Sequence, residues 1–119
     1  MDAASRNEQK QSLESIRSTI RKTEKALAQM ARKGTNTTLI EKRLKALTIG
    51  LHVLESIWNG QPHPYTREEL VEARQVLVGL FPSIESLYAK FETSRPQRTL
   101  LERRLKALRW AVQAMDELT

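Results

Sequence analysis

Apolar residues recur every three or four positions along most of this chain, a spacing that places them on one face of an α-helix. Four segments share the pattern, so we predict four helices and an all-α fold. Their predicted bounds are about residue 6 to Lys33, Leu39 to about Asn59, Arg67 onward, and about Thr99 to near the C-terminus. The apolar stripes of these helices are, in chain order, Leu13, Ile16, Ile20, Leu27 and Met30; Ile40, Leu44, Leu47, Leu51, Leu54 and Trp58; Leu70, Ala73, Leu77, Leu80, Ile84, Leu87 and Phe91; and Leu101, Leu105, Leu108, Val112 and Met115.

Three short segments interrupt the pattern and mark the predicted helix ends. Gly34 suits a left-handed cap on the first helix, and Gly60 opens the segment GQPHPY, residues 60–65, whose two prolines cannot continue a helix. The third break is SRPQ, residues 94–97. After each break a Thr is followed three positions later by a Glu, which predicts a capping box of reciprocal side-chain to backbone hydrogen bonds. The predicted boxes are Thr38–Glu41, Thr66–Glu69 and Thr99–Glu102.

Pro82 lies in the middle of the third predicted helix. The apolar register continues through it without a slip, so we predict one helix with a kink at Pro82. Gly79 is close by, and two separate helices are the alternative.

A ten-residue phrase occurs twice. TLIEKRLKAL, residues 38–47, returns as TLLERRLKAL, residues 99–108, and apolar positions outside the phrase keep the same offset of 61. We interpret the chain, residues 1–119, as one domain made of two related helical hairpins, about 5–60 and 66–119. Two such hairpins predict an antiparallel four-helix bundle, because each buries its stripe against the other. Helix caps and leucines explain about half of the identity as ordinary helical structure.

The second and fourth helices also have an apolar face opposite their stripes. At about 100° per residue, Ile49 lies about 180° from the stripe of its helix, and Trp110 has the equivalent position 61 residues later. Such a face packs either on a further neighbour in the same chain or on another chain; scattered exposed apolar residues are the plain alternative. We expect another copy of the chain as the partner. The predicted protein-interaction surface is Ile49, Val53, Ile57, Trp110 and Ala114.

Composition narrows the environment and the partners. There are 20 Lys and Arg against 14 Asp and Glu, which gives a net charge of +6, and there is no cysteine. The positive charge favours anionic partners such as nucleic acid, while the missing cysteines exclude disulfides and fit a reducing compartment. The polar N-terminal stretch and the lack of a long apolar run predict a cytoplasmic protein with no membrane role.

No constellation for catalysis is visible in the sequence. The two histidines, His52 and His63, are isolated, and no glycine-rich phosphate loop, nucleophile elbow or di-iron pattern occurs. We therefore expect no enzyme, no cofactor, no metal site and no small-molecule substrate.

Two functions fit these observations. The first is a non-enzymatic helical protein-interaction module that self-associates and acts as an adaptor, inhibitor or small regulatory subunit. The second is a nucleic-acid-binding protein that contacts phosphates through the first helix and the repeated basic patch, although such residues are more often a solvated helix face. The candidate phosphate contacts are Arg17, Arg21, Lys25, Lys42, Lys45, Arg103 and Lys106.

Overall fold

All regular structure in the computed structural model of this protein is helical over the described residues 4–119. Four helices follow one another: α1 (Arg6–Arg32), α2 (Thr38–Asn59), α3 (Arg67–Lys90) and α4 (Pro96–Leu118). The prediction of an all-α protein is confirmed. Residues 1–3, part of the polar N-terminal stretch and of the predicted domain, lie outside the described residues.

Capping boxes start α1 and α3. The Thr66 hydroxyl accepts from the Glu69 N–H at 3.2 Å, and the Glu69 carboxylate accepts from the Thr66 N–H at 3.1 Å, which confirms the predicted box. Ser5 and Glu8 form the same pair of bonds at the start of α1, a box that the sequence prediction missed. These bonds satisfy backbone donors that have no partner inside the helix.

The other two predicted capping boxes are wrong. Thr38 is already the first residue of α2, and its N–H donates to the side-chain oxygen of Asn36 at 2.9 Å. α4 begins three residues earlier than Thr99, at Pro96. Proline suits that first position, because its backbone φ is preset for a helix and its missing N–H would have no partner there.

α3 is one continuous helix from Arg67 to Lys90, with Pro82 inside it. The alternative of two separate helices is therefore wrong. Gly60 ends α2 with a left-handed φ of 73°, and Gly34 has a φ of 72° just after α1, as predicted. Glycine adopts such angles without the steric cost that a Cβ would add.

The inner pair of helices is α2 and α4. Each contacts the other, and each also contacts α1 and α3, whereas α1 and α3 do not approach each other over the described residues. The molecule measures 40 × 38 × 20 Å along its principal axes. The short dimension matches two layers of helices, since packed helix axes are about 8–10 Å apart.

The second apolar face of α2 is covered by the same chain. Ile49 is 2 % exposed, and both Val53 and Ala114 are 0 % exposed within the described residues. The expectation that these three side chains contact another copy is wrong, because atoms enclosed by their own chain have no surface to offer. α2 packs against both α3 and α4, and Ile49 lies beside Ala73 and Val76 of α3.

Gly50 of α2 packs closely against α4, so this position requires a small residue. A Cβ built at Gly50 would lie 3.4 Å from the Ala111 Cβ, 3.4 Å from Leu77 Cδ1 and 3.8 Å from Met115 Cε. There is room for one methyl group, whereas a bulky side chain such as leucine would collide with these neighbours. Gly50 and Ala111 are also 61 positions apart, which is the offset of the repeated ten-residue phrase.

We predict opposite effects for leucine at two helical glycines. Gly50→Leu forces atoms into Ala111, Leu77 and Met115, and overpacking of this kind lowers the free energy of unfolding by about 1–3 kcal/mol. Gly79→Leu meets nothing within 4 Å and raises the free energy of unfolding by about 0.5–1 kcal/mol, because leucine favours helix more than glycine. Urea unfolding followed by tryptophan fluorescence measures both. Equal effects at the two sites would contradict the observed packing.

Candidate functional site

A cleft between α1 and α4 brings together three arginines that the sequence singled out. Arg17 and Arg21 lie one turn apart on α1, and Arg103 lies near the start of α4. We call this the arginine cleft; it has a volume of about 500 Å³. Its remaining lining residues are Gln11, Glu14, Ser15, Ser18 and Leu100.

The charges of the arginine cleft are only partly neutralised. Arg17 donates to Glu55 at 3.2 Å, and its side chain remains 44 % exposed. Arg21 and Arg103 are exposed and have no ion pair with any described carboxylate. Glu14 is the one carboxylate among the residues that line the cleft, so its surface has an excess of positive charge.

The other predicted phosphate contacts lie elsewhere. Lys42 and Lys45 line a separate groove whose opposite wall carries Glu69 and Glu72. A nearby carboxylate competes with a phosphate for a lysine, so this mixed groove suits an anion less well. Lys25 is exposed on α1.

Two lysines of the repeated basic patch form ion pairs with neighbouring helices. Lys45 lies 4.0 Å from Glu69, and Lys106 contacts Glu8. The two glutamates are 61 positions apart, as are the two lysines, so both ion pairs keep the offset of the repeated phrase. Lys106, together with the hydrogen bonds of the capping box, holds the pKa of Glu8 below its ordinary value.

The predicted interaction residues Ile57 and Trp110 are half-buried against the core. Trp110 meets Trp58 edge to face, with ring centroids 6.3 Å apart. The indole N–H groups of both rings are buried and have no hydrogen-bond partner within residues 4–119. Only part of the surface of Ile57 and of Trp110 is therefore exposed to a partner.

The two histidines are part of an aromatic stack that shapes the loop between α2 and α3. Tyr65 lies between them, with ring centroids 5.8 Å from His52 and 6.1 Å from His63. The Tyr65 hydroxyl and His52 Nδ1 are hydrogen-bonded at 2.5 Å. Burial raises the pKa of Tyr65, with a smaller contribution from the Glu69 carboxylate. The contact between His52 and Tyr65 depends on the folded loop, and no pattern in the sequence predicts it.

A third cleft holds three cations that are not among the seven candidate phosphate contacts: Lys22, Arg43 and Arg104. The sequence signal was present, since Arg43 and Arg104 are equivalent positions of the repeated phrase. Position on a helical wheel places both at the edge of an apolar stripe, where long side chains usually reach water. It does not indicate that Arg104 is half-buried between helices.

Within residues 4–119, no three His, Asp or Glu side chains are grouped so that they could hold a metal ion. None of the four helices combines the length and apolar character that crossing a membrane requires. Comparison with known proteins finds no matching family, no similar curated protein and no similar solved structure.

Proposed function

We propose that this protein is a non-enzymatic binding protein that contacts the phosphate backbone of a nucleic acid through the arginine cleft. The observation that carries the proposal is the meeting of Arg17, Arg21 and Arg103, from two helices, around one open surface. Guanidinium groups present several N–H donors in a plane and suit phosphate oxygens better than lysine does. The net charge of +6 favours approach to any polyanion.

The affinity expected from such a surface is modest and depends on salt. Each phosphate that a protein cation neutralises releases counterions, with a slope of log affinity against log salt of about −0.9 for duplex DNA. Two or three arginines therefore predict a slope between about −2 and −3. The cleft residues include no aromatic side chain, so base stacking adds little and sequence specificity is not expected.

The scaffold that holds this cleft is, in our proposal, an antiparallel bundle of two related hairpins with a bend at Pro82. Support comes from pairs of residues 61 positions apart. Gly50 faces Ala111, and the pairs Glu8–Lys106 and Lys45–Glu69 repeat one interaction at both hairpin contacts. In this arrangement α1 of one hairpin lies beside α4 of the other and supplies the arginine cleft. The lack of cysteine supports a cytoplasmic location.

Neutralising Arg21 and Arg103 together tests the arginine cleft. We expect Arg21→Gln with Arg103→Gln to weaken binding of labelled duplex DNA or RNA about tenfold or more and to flatten the salt slope by roughly 2, because two phosphate contacts are lost. Fluorescence anisotropy over a salt series measures both quantities.

The matched control removes the same charge from the same two helices outside the cleft. Lys10→Gln with Arg109→Gln neutralises exposed residues of α1 and α4, and we expect a much smaller effect on affinity and slope. If both double variants weaken binding equally, the cleft is not the contact surface. If the unaltered protein binds no nucleic acid near physiological salt, the proposed function is wrong.

The second candidate function is the protein-interaction module that self-associates. Although the expected face is covered, α3 exposes Val71 and Val78, which are 41 % and 39 % accessible and lie two turns apart on one stripe. Apolar side chains aligned in this way are one means by which a helix meets a partner. A second copy of this chain is the partner that we expected from the sequence.

Sedimentation velocity over a wide range of protein concentrations tests self-association. This candidate predicts a mass above 13.7 kDa that returns to the monomer value in Val71→Glu with Val78→Glu, because the charges oppose burial of the stripe. The exposed Val71 and Val78 tolerate the change without loss of the fold. A monomer at all concentrations would exclude self-association.

A further inference from the structure

Arg104 is a half-buried arginine without a counterion among residues 4–119. Its Nε atom is enclosed and makes no hydrogen bond to any described residue. The ion pairs among residues 4–119 use Arg17, Lys45, Arg74 and Lys106. Burial of a charged group without a partner costs free energy, and burial lowers the pKa of Arg104.

The surroundings of Arg104 add positive charge and supply no negative charge. The third cleft, formed by α1, α2 and α4, has a volume of about 210 Å³. Lys22 of α1 and Arg43 of α2 line it together with Arg104, and no carboxylate is among its lining residues. The other lining residues are Thr19, Thr23, Ala26 and Ile40. Three cations around one cleft repel one another unless an anion enters.

The two threonines that line this cleft donate their hydroxyl protons to the backbone, so the cations supply the hydrogen-bond donors for a ligand. The Thr19 hydroxyl donates to the Ser15 carbonyl oxygen at 2.9 Å, and the Thr23 hydroxyl donates to the Thr19 carbonyl oxygen at 2.8 Å. Their protons are therefore committed to the backbone of α1. An anion in the cleft takes its hydrogen bonds from Lys22, Arg43 and Arg104.

We propose that Lys22, Arg43 and Arg104 form a binding site for a phosphate monoester, which we call the phosphoryl site. A terminal phosphoryl group is a compact dianion with three oxygens, and the planar guanidinium groups of two arginines match such oxygens. The cleft is smaller than the roughly 300–1,000 Å³ of pockets that enclose drug-sized ligands. It therefore suits the phosphoryl group itself rather than a whole metabolite.

The phosphoryl site is separate from the arginine cleft. None of its lining residues lines the arginine cleft, and its ligand is a terminal phosphate rather than a backbone diester. The terminal phosphate can belong to a free small molecule or to the end of a nucleic acid. The site does not depend on backbone binding, so either proposal can fail without the other.

Titration calorimetry with inorganic phosphate at constant ionic strength tests the phosphoryl site. We expect binding by the unaltered protein and a rise in melting temperature with phosphate, because a ligand that binds only the folded state stabilises it. Lys22→Gln, Arg43→Gln and Arg104→Met should each weaken phosphate binding about tenfold or more, since each loses a charge-assisted hydrogen bond. Arg109→Gln, an exposed change of the same charge on α4, should bind phosphate as the unaltered protein does.

A structural role for Arg104 gives a different result. In that case Arg104→Met lowers the melting temperature without phosphate, while the exposed variants Lys22→Gln and Arg43→Gln leave phosphate binding unchanged. Unchanged binding in these two folded variants, or no phosphate binding by the unaltered protein, would overturn the proposal.

Two further ligands distinguish the sources of the phosphate. We compare a 5′-phosphorylated oligonucleotide with the same oligonucleotide carrying a 5′-hydroxyl, and glycerol phosphate with glycerol. A preference for the phosphorylated member that is lost in Lys22→Gln supports the site. Preference in the oligonucleotide pair alone assigns the site to nucleic-acid ends, and preference in the glycerol pair alone assigns it to small phosphate esters. No preference in either pair would overturn the proposal.

Discussion

The contact between α2 and α4 is the constraint on which the rest of the structure depends. Gly50 and Ala111 allow the two helices to approach closely, and their neighbours Ile49, Val53 and Ala114 are buried as a consequence. This contact makes α2 and α4 the inner helices, and it leaves α1 and α3 on opposite sides. Because α1 lies beside α4, charged side chains from the two helices line the same clefts.

The distribution of charge follows from that arrangement. Lys106 and Lys45 form ion pairs with Glu8 and Glu69 on neighbouring helices, so part of their charge is neutralised within the chain. On the α1–α4 side, Arg21, Arg103 and Arg104 have no ion pair with any carboxylate of the described residues. The basic residues therefore fall into two groups. Some form ion pairs with carboxylates of other helices, and others have no such pair among residues 4–119.

The all-α class and the four helices were largely predictable because their signals are local. Apolar periodicity, Gly34, Gly60 and the Thr66–Glu69 box depend on residues within one or two turns, and they gave the helices correctly. The predicted start of α4 was too late, because proline is common both in linkers and in the first turn of a helix. We assigned Pro96 to a linker, whereas it is the first residue of α4. The continuity of α3 through Pro82 was predicted from register alone.

The candidate site was less predictable because it depends on contacts between distant segments. An apolar residue opposite a helix stripe, such as Ile49, fits an inner helix and an oligomer contact equally well, and only the positions of the neighbouring helices decide between them. The sequence named Arg17, Arg21 and Arg103 among seven cations without indicating that these three meet. Arg104 was not among these seven candidates, because neither composition nor spacing indicates that an arginine is half-buried between helices.

An engineered disulfide tests the central contact most directly. The chain has no cysteine, and a Cβ at residue 50 would lie 3.4 Å from the Ala111 Cβ, close to the roughly 3.5–4.5 Å of disulfides. We predict that Gly50→Cys with Ala111→Cys, oxidised and examined by non-reducing mass spectrometry, forms a disulfide within one chain at every protein concentration. A disulfide between two chains, or two free thiols after complete oxidation of a control, would contradict the packing of α2 on α4 in a single chain.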